Sequence, residues 1–137
     1  MYLTYAPADG DPQRWKYNPR KLLTAERETL ERVTDRNFVQ FTGDVLAGNA
    51  LCRRALLWVF LKRAHPTLRF ADVDFAWDEV KLEFSRQEWL LQLRQVEDAL
   101  SGSELVAARA QIEGELVDAI DEEDDDLAGK ARLPIAD

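Results

Sequence analysis

Catalytic side chains are scarce in this chain of 137 residues, which has one cysteine and one histidine. Cys52 cannot close an intrachain disulfide, and its place inside an apolar stretch suits a reducing compartment and an inert packing role. Cys52 and His65 alone form an incomplete set of zinc ligands. If one helix carries both, they lie about 20 Å apart along it, too far for a nucleophile and its base. Glycine is also sparse, at six residues, and no glycine-rich phosphate loop, dinucleotide fingerprint or serine nucleophile elbow is present. The expectation is a protein that is not an enzyme, with no catalytic residues and no cofactor. Apolar runs stop well short of the ~20 residues that span a bilayer. The opening MYLTYAPADG has neither the basic nor the long apolar region of a signal peptide, so a cytoplasmic protein without a membrane partner is expected.

Carboxylates are plentiful. Asp72, Asp74 and Asp78, followed by Glu79 and Glu83, offer the oxygen ligands that hard cations prefer. Their spacing lacks the glycine turn and closing glutamate of an EF-hand, so capping of turns or pairing with Arg69 or Lys81 is expected, and no metal site. The net charge of −8 is unevenly distributed: residues 1–70 hold 12 Lys/Arg against 7 Asp/Glu, and residues 71–137 hold 6 against 19. The acidic half is unsuited to nucleic acid, which needs closely spaced cations, so no specific nucleic-acid partner is expected. The asymmetry fits steering of a charged partner or head-to-tail homo-oligomerisation, and equally a solvated surface. Arg53, Arg54, Lys62 and Arg63 fall at opposite ends of one helix, with no organised aromatic platform between them.

A hydrophobic fraction of 46%, with four tryptophans and six phenylalanines, supplies a core for one domain. Residues 55–61 are consecutively apolar, which leaves that helical stretch no solvent face and predicts a central helix over 50–64, ended by Pro66. Residues 1–22 hold three of the five prolines and read as an extended arm, with Trp15 and Tyr17 docked on the body. A first helix is expected from Thr24. A second follows from Asn37 to Leu46, with Asn37 as its cap and Phe38, Phe41 and Val45 on one face; Gly48 closes it and Asn49 caps the next. Val80, Leu82 and Phe84 alternate with charged residues like a half-buried strand that pairs with RWKYN, and an ordered loop fits nearly as well.

Ser85 and Glu88 form a capping-box signature ahead of an apolar stripe at Trp89, Leu93, Val96 and Leu100. After Ser101-Gly102-Ser103, a last stripe runs through Leu105, Ala108, Ile112, Leu116 and Ile120, so the two helices form an αα-hairpin. The run DEEDDD at 121–126 repels itself and is expected to end or fray the helix. The predicted fold is all-α: a compact bundle of about five helices around a central apolar helix. The divisions are a docked arm at 1–22, a helical domain at 23–121 and a flexible acidic tail at 122–137.

The run RRALLWVFLKRAHPTLRFADVDF, with DPQRWKYNP and ERVTDRNFVQF upstream and DEVKLEF downstream, resembles the tail assembly chaperones of long-tailed bacteriophages infecting actinobacteria. The resemblance covers roughly residues 11 to 100 and rests on the order and wording of these segments, with no catalytic motif. It implies a mostly helical, non-enzymatic protein of the host cytoplasm that binds the tape measure protein, keeps it soluble and helps tail-tube protein assemble around it. The alternative is a structural virion component, such as a head–tail connector or minor tail protein. Candidate client-binding residues are Trp15, Tyr17, Phe70, Phe75, Trp77, Trp89, Leu93 and Val96. Each competes with a core role, because large apolar side chains normally pack inside.

Overall fold

A computed structural model describes residues 1–122, which fall into two compact units, Met1–Glu83 and the described residues from Phe84 onward. The acidic segment placed at 122–137 lies, beyond Glu122, outside the described residues.

The first unit is organised around a helix at Ala50–Ala64, here α3, preceded by α1 (Thr24–Thr34) and α2 (Phe38–Ala47). Cys52 and residues 55–60 of α3 are buried, and Leu61, the last of the uninterrupted apolar run, is partly buried against the same core. Leu30 of α1 and Phe41 and Val45 of α2 are fully enclosed in the same core. The helix boundaries follow from capping chemistry. The Asn37 side chain accepts from the Gln40 amide and the Asn49 side chain from the Cys52 amide, each satisfying an amide that the first helical turn leaves unpaired. Gly48 ends α2 at φ 88°, a left-handed conformation that costs glycine little. Asp35 ends α1 at φ 51°, a position that few residues other than glycine, asparagine and aspartate tolerate.

The all-α expectation holds only coarsely, because the first unit also contains a three-stranded antiparallel sheet. Its strands are β1 (Tyr2–Tyr5), β2 (Gln13–Lys16) and β3 (Val80–Glu83), in the order β2-β1-β3. RWKYN and VKLEF do both supply strands, but they do not pair with each other, since β1 lies between them. Leu3 stands opposite both Trp15 and Leu82, and Tyr5 opposite Val80. These residues belong to one apolar face that packs into the core with α3. The N-terminal segment is therefore a structural element, and Leu3 is fully buried.

Tyr17 follows β2 and is buried, and its hydroxyl is the buried side-chain polar atom found without a hydrogen-bond partner among the described residues. Burial and the neighbouring Cys52 thiol push its pKa up to about 12. A buried unpaired hydroxyl is destabilising, so Tyr17→Phe is expected to match or exceed wild-type stability by as much as about 1 kcal/mol in chemical denaturation. A clear loss of stability would reveal a partner for the hydroxyl.

Residues 65–79 lack a helical stripe because side chains of α3 hold them in place. The Trp58 indole donates to the Leu68 carbonyl at 2.9 Å. The Arg54 guanidinium donates to the carbonyls of Phe70 and Val73. The chain makes one short 3-10 turn at Phe70–Asp72, within the anchored stretch, and another at Trp77–Glu79 beyond it.

The second unit is an αα-hairpin of α4 (Arg86–Ala99) and α5 (Gly102–Leu116). Ser85 and Glu88 close the capping box on α4, as their spacing predicts. Gly102 takes φ 63° at the tight break. Helix α5 ends at Leu116, before the acidic run begins, and the chain beyond it is tied to the start of α4: the Arg86 amide donates to the Ile120 carbonyl at 2.7 Å, and the Arg86 side chain pairs with Asp121 at 2.8 Å. Glu122 accepts from the Ser85 hydroxyl. Asp121 and Glu122 thus lie near the N-terminal end of α4, where the helix dipole favours negative charge. Gly114 lies within α5, and a methyl group added there would meet nothing within 4 Å. Gly114→Ala is expected to stabilise this unit by about 0.5–1 kcal/mol, measured by thermal denaturation. Among the described residues, no helix is long and apolar enough to cross a membrane.

Candidate functional site: a groove along the helical hairpin

The stripes of α4 and α5 face each other but leave much apolar surface partly covered. Trp89, Leu93, Val96 and Leu100 are half-buried, as are Leu105, Ala108 and Leu116, while Ile112 alone in these stripes is fully buried. Two helices can cover each other along one seam only, so the outer flank of each stripe stays open. On one flank this produces a groove of about 510 Å3. Its apolar lining includes Trp89 and Val96 from α4 and Ala108 and Ile112 from α5, and Gln92, Gln95 and Gln111 supply polar walls. Phe84 sets the Trp89 ring by an edge contact, with centroids 5.2 Å apart and planes at 73°. Leu91, which also lines the groove, is 55% exposed, and Val106 and Val117 are exposed elsewhere on the hairpin.

An apolar floor with uncharged amide walls suits the apolar face of a helix better than a reaction centre, because chemistry needs convergent titratable groups. Glu88 is the one charged residue of the lining. Among the described residues no three His, Cys, Asp or Glu side chains are grouped to hold a metal ion. In the first unit Asp72 pairs with Arg69 through two hydrogen bonds, at 3.0 and 3.1 Å, one of the pairings that their spacing predicts.

The eight candidate client-binding residues are divided between the two units. Trp89 and Val96 line the groove, and Leu93 lies in the partly buried stripe beside it. Trp15 stacks on Phe60 at 5.7 Å and Tyr17 is enclosed, so both rings serve the core of the first unit. Phe70 packs on Trp58 at 5.4 Å and Phe75 lies 6.4 Å from Tyr5. Trp77 is 54% exposed, with the Arg53 guanidinium 5.5 Å from its ring. The other cations of α3 are also seated on rings: Arg54 on Phe70, Lys62 on Trp58 and Arg63 on Phe60. Their positive charge therefore serves to hold the fold. Arg63 also pairs with Glu26 at 2.9 Å and helps hold that carboxyl below its usual range.

Periodicity marks the groove floor, because Trp89, Val96, Ala108 and Ile112 belong to the two stripes. The walls carry a weaker signal: Gln92, Gln95 and Gln111 interrupt otherwise charged helix surfaces with uncharged amides. Compared with protein-family models, curated proteins and solved structures, the chain shows no significant match to any.

Proposed function

We propose that this protein is a tail assembly chaperone, which binds the tape measure protein of a long-tailed phage in the host cytoplasm, keeps it soluble and assists tail-tube assembly. The observation that carries the reading is the open apolar groove along α4 and α5, a shape that accepts one face of a client helix. The resemblance of RRALLWVFLKRAHPTLRFADVDF and its flanking segments to that family supplies the identity of the client. A chaperone of this kind needs an accessible apolar surface on a body that is itself stable. The enclosed core around α3 meets the second requirement and the hairpin the first.

Coexpression with the tape measure protein of the same phage tests the proposal. The expected result is a soluble complex recovered on either partner, with the tape measure protein insoluble when expressed alone. No complex and no gain in solubility would reject it. A fixed copy number in purified particles would replace it with the structural virion component.

A further inference from the structure

We infer that the α4–α5 groove selects one amphipathic helix whose apolar stripe is flanked by lysine or arginine. This rests on the binding role proposed above and specifies the chemistry of the segment that is bound. On α4, Gln92 and Gln95 line the groove, and Glu88 and Asp98 continue their row at spacings of three and four. On α5, Ala108 and Gln111 line it, and Glu104 and Glu115 continue that row at both ends. Both rows therefore carry carboxylates near their ends and contain no cation.

The three arginines of this unit lie elsewhere. Arg86 pairs with Asp121, and Arg94 and Arg109 fall outside both rows. Residues 84–122 as a whole hold nine carboxylates against these three arginines. A second copy of the same hairpin would bring its own carboxylate rows against these, and like charges brought together oppose association. A helix with basic flanks relieves that repulsion while its apolar stripe covers Trp89, Val96 and Ile112. Such a helix matches α4 in length at about four turns, or roughly 21 Å.

The test uses the full chain and two labelled synthetic helical peptides that share one leucine-alanine stripe, one with lysine flanks and the other with glutamate flanks. Binding is read by fluorescence anisotropy at low and high salt. The lysine peptide is expected to bind at least about tenfold more tightly at low salt, with most of that preference lost at high salt. Glu104 and Glu115 are exposed, so the double variant E104K/E115K should keep its fold by circular dichroism and lose or reverse the preference. Leu91→Glu should weaken both peptides.

Equal binding of the two peptides, preference for the glutamate peptide, or no binding would overturn the inference. So would a wild-type dimer in sedimentation that Leu91→Glu dissociates, because the occupant would then be a second copy. The peptides contain no phage protein, so the two proposals can fail separately. Capture of the tape measure protein with equal peptide binding removes the charge rule alone. Binding of the lysine peptide without such capture removes the chaperone assignment and leaves the groove chemistry standing.

Discussion

Trp58→Ala is expected to lower the unfolding free energy by about 3–5 kcal/mol, the range for deleting a large aromatic side chain from a packed core. The ring lies on α3 within the core and packs against Phe70 at 5.4 Å. Its indole nitrogen also holds the Leu68 carbonyl at 2.9 Å. Truncation therefore opens a cavity and releases one anchor of residues 65–79. Trp58→Phe separates the two effects: it keeps most of the apolar volume, removes the donor, and should cost less than the alanine variant. Guanidinium denaturation gives both values, and wild-type stability for Trp58→Ala would contradict the placement of α3 at the centre of the first unit.

Arg54→Ala is the second large effect, expected to cost about 3 kcal/mol. The guanidinium donates to two backbone carbonyls, of Val73 and Phe70, and lies 4.1 Å from the Phe70 ring centroid. Charged hydrogen bonds of this kind contribute about 1.5–3 kcal/mol each, and partial access of water lowers the sum. Arg54→Lys should recover little, because an ammonium lacks the planar fork that reaches both acceptors while lying over a ring. Trp58 and Arg54 share Phe70 and hold the same segment, so the double variant should lose less stability than the two single losses combined. Strict additivity in that cycle would show that the two anchors act independently.

These anchors also explain which parts of the fold were legible in the sequence. The caps at Asn37, Asn49 and Ser85 act within three residues of their partners, and the structure has all three where the sequence places them. The unbroken apolar run over 55–61 likewise states its own burial, complete over 55–60 and partial at Leu61. Residues 65–79 carry no clean periodicity of their own, because their geometry depends on donors from Arg54 and Trp58, at least ten residues away. Strand β1 looks like part of an extended arm in the sequence because it has four residues and is followed by prolines. Tyr2 and Leu3 are both buried, which removes the alternation that identifies a strand with one wet face. The groove is half legible: its floor follows from the stripes, whereas its open flank depends on how the two helices meet.

The central claim is that a client helix is held on the hairpin of α4 and α5. Hydrogen–deuterium exchange on the purified complex with the tape measure protein, compared with the free chain, tests it most directly. Slower exchange in α4 and α5, with α1, α2 and α3 unchanged, is the predicted result. Protection confined to the first unit, or no change in α4 and α5 on forming the complex, would contradict it.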